Sequence, residues 1–252
     1  MTDDDLRDMA PPAWDDRTVR LTGAEGAARL RAARVLVVGL GGVGGYAAEI
    51  LARTGVGDLT LIDADCVETT NLNRQIIATR DTIGQPKAML FAERFHSVNP
   101  EARIHAIRDF VTPENAAGLA AVGYDFIVDA IDTVAPKTAL LAECLLRKTP
   151  VISSMGAGGR LDPSRCGYFD LWETREDGLA RAVRQRLKKL GLRRRLPVVA
   201  STEAPRQASL IEAPGQNKRT SYGTVAAVPA VFGILLGSYV INKLLSIKGL
   251  SN

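Results

Sequence analysis

The sequence predicts an α/β fold built on a doubly wound, mostly parallel β-sheet. Three observations predict it. Short continuous apolar runs, such as residues 35–38 and 124–130, recur along the chain, as in strands that are buried on both faces. Segments with apolar residues at helical spacing separate these runs. A glycine-rich turn, residues 39–44, joins the first run to the first of those segments. This alternation is typical of a Rossmann-like sheet.

The first strand–helix–strand unit is well delimited. Residues 35–38 predict a buried strand, and residues 43–54, rich in Ala, Ile and Leu, predict a helix. The glycines within residues 54–58 end that helix in a turn. Residues 59–63 then predict a second buried strand. The unit therefore has the order expected of a nucleotide-binding βαβ fold.

Strands and helices continue to alternate through about residue 156. Pro86 marks the start of a helix, because proline is well tolerated in the first helical turn. Residues 124–130 predict a buried strand that ends in acid, and a helix over about 135–147 follows. The pattern weakens between about 160 and 200. We expect a basic, irregular crossover there.

Length and composition indicate one soluble domain. The chain has 252 residues, of which 46% are hydrophobic and 24% charged, enough to build one packed core. Residues 1–16 are acidic and lack an apolar run, so they predict a flexible lead-in rather than a signal peptide. We find no internal repeat or second core, and we therefore predict a single domain over residues 17–252. The net charge of +4 tolerates a polyanionic partner.

Cysteine spacing argues against two kinds of site. Cys66, Cys144 and Cys166 form no C-x-x-C pair, so neither a zinc knuckle nor a disulfide framework is indicated. A reducing cytoplasm is the expected location.

One uncharged segment, residues 224–241, approaches the length of about 20 residues that a membrane span needs. Pro229, Gly233 and Gly237 interrupt it. We expect a buried core helix. Peripheral or single-span membrane association through this segment stays open as the alternative.

A basic segment, residues 181–195, holds eight Arg or Lys residues and no acid. Two interpretations stay open: a solvated helix face, or a surface that contacts a phosphate backbone.

The glycine turn predicts a phosphate-binding site. Gly39 allows a tight turn, Gly41 and Gly42 let a phosphate approach the backbone, and Gly44 lets the helix pack close to the strand. The start of the following helix offers free N–H groups to an anion. Asp63, at the end of the second strand, lies where an acid commonly binds a ribose hydroxyl.

Three further residues indicate a triphosphate rather than a dinucleotide. Arg74, within the sequence NLNRQ, Lys87, at the start of the next helix, and Asp132, just past a strand, are all expected at the edge where parallel strands end. A triphosphate needs cationic side chains and often a carboxylate for Mg²⁺. The competing interpretation of Arg74 and Lys87 is solvated surface charge.

Five motifs in order, GLGGVG, LIDAD, NLNRQ, GQPKA and DAID, resemble the adenylating domain of the ubiquitin-activating-like family that includes ThiF, MoeB and HesA. The resemblance spans about residues 17–160. It implies activation of a carboxylate by attack on the α-phosphate of MgATP. Further motifs resemble the family's tRNA threonylcarbamoyladenosine dehydratases over nearly the whole chain; they lie at 17–23, 109–115, 156–163 and 201–205.

The resemblance implies roles for individual residues. Gly41 would lie at the nucleotide and Asp63 at the ribose. The residues implied on the phosphates are Asn71, Arg74 and Lys87, with Asp132 on magnesium. Arg20 falls where the family has an arginine that reaches into the partner's site of a homodimer.

The resemblance also implies cofactors and partners. They are ATP, Mg²⁺, a monovalent cation at the dimer interface, tRNA held by residues 181–195, and a cysteine desulfurase or sulfur acceptor. Zinc is not expected, since the two C-x-x-C pairs common in ThiF and MoeB types are missing. DNA is not expected as a partner.

The expected reaction is the ATP-dependent dehydration, by cyclisation, of N6-threonylcarbamoyladenosine in tRNA. Two alternatives stay open. One is MoeB- or HesA-like adenylation of the C-terminus of a small sulfur-carrier or ubiquitin-like protein. The other is a nicotinamide-binding oxidoreductase or a redox-sensing regulator, which would bind NAD and for which Arg74 and Lys87 would be dispensable.

Overall fold

The computed structural model describes residues 13–212 and 220–245. Most of the predicted lead-in over residues 1–16 lies outside these ranges. The described part of it includes Asp15, which is buried and pairs with Arg31, and Asp16, where the first helix begins.

Within the described residues, seven strands form one sheet with the order β3-β2-β1-β4-β5-β7-β6. The strands are β1 Arg34–Val38, β2 Asp58–Ile62, β3 Arg103–Ile107, β4 Phe126–Asp129, β5 Val151–Ser154, β6 Cys166–Asp170 and β7 Pro197–Ser201. All neighbours pair in parallel except β6, which is antiparallel to β7. The predicted α/β fold with a mostly parallel, doubly wound sheet is confirmed. A separate hairpin pairs β8 Leu210–Glu212 with β9 Thr220–Tyr222.

Helices cover both faces of the sheet. They are α1 Asp16–Ala32, α2 Gly44–Thr54, α3 Lys87–Val98, α4 Ala116–Ala121, α5 Val134–Arg147, α6 Gly178–Lys189 and α7 Ala227–Leu244. One apolar core lies between the sheet and α2, α3 and α7, and it contains Phe91, Phe95 and Phe232. The other lies under α4, α5 and α6, and it contains Leu140 and Val183. The strands β1, β2 and β4 are buried almost throughout, so their sequences are mainly apolar.

The parallel strands all begin on one side of the sheet and end on the other. We call the edge where β1, β2, β4, β5 and β7 end the carboxyl edge, and the opposite one the amino edge. In parallel sheets, ligands bind beyond the carboxyl ends of the strands. The glycine turn between β1 and α2 lies at the carboxyl edge.

Residues 160–200 are more regular than their sequence indicates. They contain β6, α6 and β7. The sequence pattern is weak because β6 is half-buried along its whole length, and because the buried face of α6 is narrow, with Ala180, Val183 and Leu187.

The apolar segment 224–241 forms most of α7, which packs against α2. A β-carbon at Gly233 would lie 2.3 Å from the carbonyl oxygen of Val43, and one at Gly237 would lie 2.9 Å from Cβ of Ile50. Glycine is therefore required for this close helix approach. By length and composition alone α7 would also suit a membrane span, but the face that carries these glycines is buried on α2. This packing agrees with the predicted core helix.

Candidate active site

Two positions of the glycine turn, Gly39 and Gly44, leave no room for a side chain. Gly39 has a φ of +83°, and a β-carbon there would lie 2.9 Å from the carbonyl oxygen of Ala130. A β-carbon at Gly44 would lie 1.7 Å from the carbonyl oxygen of Gly39. The turn thus packs directly against the loop that follows β4. The first backbone N–H groups of α2 are left at the carboxyl edge, where they can bind an anion.

Asp63 is bonded to this turn. Its Oδ2 accepts a hydrogen bond from the backbone N of Leu40 at 2.6 Å, and its Oδ1 accepts one from the backbone N of Asp65 at 2.8 Å. Burial raises the pKa of the Asp63 carboxyl, against the opposing effects of these two bonds and of nearby Lys87. The carboxylate therefore contacts the glycine turn itself, in the position where an acid commonly binds a ribose hydroxyl.

The NLNRQ segment lies across the turn. The side chain of Arg74 passes Gly42, with its Cγ 3.4 Å from the position of a β-carbon there. Its Nη1 donates to the carbonyl oxygen of Thr70 at 2.7 Å. Asn71 is buried, and its Oδ1 accepts a bond from the backbone N of Glu68 at 3.1 Å. Asn71 thus shapes the bend that carries Arg74 over the glycines.

Gln75, the last residue of the same motif, was missed by the sequence reasoning. Its Nε2 lies 3.7 Å from the position of a β-carbon at Gly41, and its buried Oε1 has no hydrogen-bond partner in the structure. Its position next to Arg74 in the NLNRQ motif could have indicated that it belongs to the site. A buried amide left unsatisfied is costly, so a ligand at the glycine turn would give it a role.

Lys87 reaches the carboxyl edge from the first position of α3. It is only 4% exposed, and its Nζ lies 3.2 Å from Oδ2 of Asp65. The backbone N of Lys87 also donates to the carbonyl oxygen of Asp65 at 3.0 Å. A buried lysine beside Asp63 and Asp65 is not the solvated surface charge of the competing interpretation.

Asp132 lies three residues beyond the end of β4, and its side chain is exposed. The loop that carries it starts at Ala130, whose backbone N donates to the carbonyl oxygen of Val38 at 2.8 Å. The loop is therefore held against the end of β1, next to the glycine turn.

A fully buried charge cluster beneath this loop was also missed. Lys137 Nζ lies 2.6 Å from Asp129 Oδ2 and 3.0 Å from Ser153 Oγ, and Ser153 Oγ donates to the same carboxylate oxygen at 2.7 Å. Asp129 Oδ1 accepts from the backbone N of Ile131 at 3.0 Å. No sequence pattern distinguishes this lysine from an exposed one on α5.

A second buried pair organises the loops beyond β5 and β7. Arg160 donates to the carbonyl oxygens of Glu203 and Glu176, each at 2.8 Å, and its Nη2 lies 3.5 Å from Asp177 Oδ2. Asp177 in turn accepts a bond from the backbone N of Gly156 at 2.8 Å. These contacts fix the start of α6 at the carboxyl edge. They give the motifs at 156–163 and 201–205 a structural role.

Arg20 is not among the side chains gathered at the glycine turn. It lies on α1 with its side chain 78% exposed, and its Nε is 2.7 Å from Asp16 Oδ2. The predicted reach into a second copy stays a prediction.

Two of the three cysteines do not resemble an activated nucleophile. Cys144 is buried, and burial raises the pKa of its thiol to about 12. Burial also raises the pKa of the half-buried Cys166. Thiols with raised pKa values are largely protonated at neutral pH and react slowly. In the described ranges, His, Cys, Asp and Glu residues form no group of three or more that would hold a metal.

Comparisons with known proteins show which family the chain belongs to. The ThiF family model matches residues 15–252. The chain is 41% identical to the tRNA threonylcarbamoyladenosine dehydratase of Escherichia coli, over 93% of this chain and 95% of that one. It is 39% identical to the Bacillus subtilis protein of the same name, over 88% and 91%. The E. coli molybdopterin-synthase adenylyltransferase is 38% identical over 55% of this chain and 54% of its own.

Solved structures give the same grouping. The crystal structure of the E. coli dehydratase TcdA in complex with ATP matches with a TM-score of 0.84 and 42% identity, covering 92% of this chain and 93% of that one. The complex of the same enzyme with AMP gives a TM-score of 0.83. The chain belongs to the ThiF family and, within it, to the group of the tRNA threonylcarbamoyladenosine dehydratases.

Proposed function

We propose that this protein uses ATP to dehydrate N6-threonylcarbamoyladenosine in tRNA. One observation carries the proposal. A glycine turn, the Asp63 carboxylate and the side chains of Arg74 and Lys87 meet at one sheet edge, in a chain that matches an ATP-bound dehydratase over 92% of its length.

The chemistry needs an activated carboxylate. An oxygen of the threonyl carboxylate would attack a phosphorus of ATP, forming either an acyl-adenylate with release of pyrophosphate or an acyl-phosphate with release of ADP. The ureido nitrogen of the same side chain would then attack the carbonyl carbon and lose its proton. The C–O bond to the phosphoryl group breaks, and AMP or phosphate leaves with the former carboxylate oxygen. The nucleoside loses the elements of one water molecule.

The protein's part is positioning and charge neutralisation. The N–H groups of the glycine turn and of the start of α2 would hold phosphate oxygens. Arg74, Lys87 and Asn71 would neutralise or bind the phosphates, and Asp63 would bind the ribose. Pre-arranged donors of this kind stabilise the charge that develops during transfer. Holding the ureido nitrogen next to the acyl carbon supplies the effective concentration for ring closure.

Asp132 suits a magnesium ion bound together with ATP. Mg²⁺ is commonly held by one or two carboxylates plus substrate phosphates. An exposed carboxylate on a loop fixed beside the glycine turn fits that donor set. When bound, the ion would neutralise phosphate charge.

The proposed assembly is a cytoplasmic homodimer in which Arg20 enters the partner's site. The resemblance to the family supports the dimer, a monovalent cation at its interface and a cysteine desulfurase or sulfur-acceptor partner. The packing of α7 on α2 favours a core role over membrane association for residues 224–241. Fractionation after a high-salt wash tests that choice.

The test is incubation of the purified protein with MgATP and tRNA carrying the threonylcarbamoyl group, followed by mass analysis of the nucleoside. We expect loss of one water, dependent on ATP. An unchanged nucleoside, with ATP–pyrophosphate exchange that requires a small carrier protein, would establish the MoeB-like alternative instead.

A further inference from the structure

Helix α6 runs from the candidate active-site edge to the opposite edge of the sheet. Asp177 caps its start by accepting from the backbone N of Ala180 at 2.8 Å, and it also accepts from Gly156, just beyond the end of β5. After α6 ends, the chain enters β7 at Pro197, on the amino edge. The 12 residues of the helix span about 18 Å.

The basic residues of α6 divide into two groups by their contacts. Arg184 is half-buried, and its Nη1 donates to the carbonyl oxygens of Leu171 and Thr174, each at 3.0 Å. It holds the helix on the domain. The outward-facing group consists of Arg181, Arg186, Lys188 and Lys189, all exposed. These cations lie on the exposed side of the helix, from its first turn to its last.

Positive charge continues past the end of α6. Arg193 lies over the ring of Trp172, with its guanidinium carbon 5.5 Å from the ring centroid. Beside it, at the amino edge, is a depression of about 350 Å³ with Tyr239 in its wall. Its charged lining residues are Lys148, Arg194, Arg195 and Lys243.

Three of these cations are partly engaged by the protein itself. Lys243 Nζ lies 5.3 Å from the centroid of the Tyr239 ring. Arg194 donates to the carbonyl oxygen of Leu145 at 2.9 Å, and Arg195 lies 3.9 Å from Asp170. Lys148 and Lys243 are both exposed. Their positive charge suits RNA, because the phosphates of an RNA backbone bind cations.

We propose that α6 gives bound tRNA a fixed direction. The anticodon loop lies at the Asp177 end of α6, and the phosphates of the anticodon stem run along the outward cations towards Arg193 and Lys243. The inference rests on the proposed function, which requires the modified nucleotide at the carboxyl edge. A stem that leaves this edge along α6 meets cations throughout. Phosphate contacts of this kind set the register of an RNA without reading its sequence.

The test compares two RNA hairpins with the same anticodon loop, one with a short stem and one long enough to follow the whole of α6. Binding is measured by fluorescence anisotropy at several salt concentrations. The near variant is Arg175→Ala/Arg181→Ala, which removes an exposed arginine three residues before α6 and another in its first turn. The far variant is Arg193→Ala/Lys243→Ala. A charge-matched control, Arg29→Ala/Arg103→Ala, removes two exposed arginines from α1 and β3. All six side chains are exposed, so the variants should fold.

We expect the near variant to weaken both hairpins, and the far variant to weaken only the long one by about tenfold. Each lost phosphate contact should reduce the slope of log affinity against log salt by about 0.7–0.9. The control should bind both hairpins as the wild type does.

The proposed direction would be overturned if the far variant lost affinity for the short hairpin. It would also be overturned if the far variant weakened both hairpins equally. Unchanged binding in both variants would overturn it too, and would leave the basic surface to another partner such as an acidic protein. These measurements need no turnover. A wild type that binds with the expected direction yet leaves the nucleoside unchanged would therefore contradict the proposed function alone.

Discussion

Asp63 and Leu40 are joined by a hydrogen bond of 2.6 Å from the backbone N of Leu40 to the carboxylate. The bond ties the end of β2 to the turn between β1 and α2. The acid proposed for the ribose and the glycines proposed for the phosphates are therefore parts of one hydrogen-bonded unit.

Replacing Asp63 with Asn should weaken ATP binding at least tenfold, which corresponds to about 1.4 kcal/mol. The amide can offer only one acceptor oxygen where the carboxylate satisfies two backbone N–H groups. Calorimetric titration with MgATP measures the loss. Glu143→Gln, on α5 away from the turn, should bind ATP normally. Equal affinities for wild type and Asp63→Asn would remove the ribose role.

Asp63→Asn should also change how the stability of the fold depends on pH. Burial raises the pKa of Asp63 in the folded chain, so its carboxyl protonates more readily there than in the unfolded chain, where the pKa is about 3.9. The contribution of Asp63 to stability is thus fully present below the unfolded pKa and is lost as pH rises through the folded pKa. Without ATP, the stability of wild type minus that of Asp63→Asn should decrease from pH ~4 upwards, as measured by urea unfolding. A difference that grows with pH would contradict the raised pKa.

Lys87→Met should reduce MgATP affinity by about tenfold or more, because the variant keeps a long buried side chain and loses only the charge. Arg74→Ala should act in the same direction. The control is Arg103→Ala, which removes an exposed cation at the start of β3. If NAD binds and both site variants keep that binding, the oxidoreductase interpretation would replace the ATP site.

Gly44→Ala should destabilise the fold by about 3 kcal/mol or more. Its new methyl group would lie 1.7 Å from the carbonyl oxygen of Gly39, a backbone atom that cannot move aside freely. The matched control is Gly118→Ala in α4, where a β-carbon meets nothing within 4 Å; it should gain about 0.5–1 kcal/mol. Thermal unfolding compares the two, and similar melting temperatures would refute the steric account.

The buried cluster of Asp129, Lys137 and Ser153 should be needed for more than stability. Lys137→Met leaves a carboxylate unpaired at a site with no solvent exposure, which typically costs about 3–5 kcal/mol. The triple variant Asp129→Leu/Lys137→Met/Ser153→Ala should recover most of that loss, since apolar replacements of buried ion pairs are often tolerated. It also removes the carboxylate that accepts a hydrogen bond from the backbone N of Ile131. The loop that carries Asp132 should then be less well fixed.

Two measurements separate these effects. Urea unfolding reports the recovered stability, and the magnesium dependence of ATP affinity reports the position of Asp132. A stable triple variant with wild-type magnesium dependence would make the cluster purely structural.

A cysteine-free variant, Cys66→Ser/Cys144→Ala/Cys166→Ser, should keep the ATP-dependent loss of water. The proposed ring closure uses the substrate's own nitrogen, and burial raises the thiol pKa values of Cys144 and Cys166. Mass analysis of the nucleoside checks the expectation. Loss of turnover in a folded cysteine-free variant would indicate a thiol intermediate.

Much of this arrangement could be predicted because it depends on local sequence. The alternation of apolar runs and helices, and the glycine turn, follow from near neighbours in the chain. Arg74 and Lys87 could be placed at the carboxyl edge because parallel strands end there together. The Lys137–Asp129 pair could not be predicted, since its burial depends on how α5 packs on β4 and β5. Arg160 was missed for the same reason, because its partners lie 16 and 43 residues away.

The regular structure within residues 160–200 was missed for a different reason. The partner of β6 is an antiparallel neighbour, so β6 has no place in the repeating strand–helix order. In addition, basic residues dominate the sequence of α6, so the three small or apolar residues that pack on the domain produce only a weak helical pattern.

The most direct test of carboxylate activation follows an oxygen atom. The tRNA substrate is prepared with a heavy-oxygen label in the threonyl carboxylate and is converted with unlabelled MgATP in unlabelled water. We predict one labelled oxygen in AMP or in inorganic phosphate for each nucleoside dehydrated, because the phosphoryl group leaves with that oxygen. Label released into water, with none in AMP or phosphate, would contradict activation by ATP at the glycine turn.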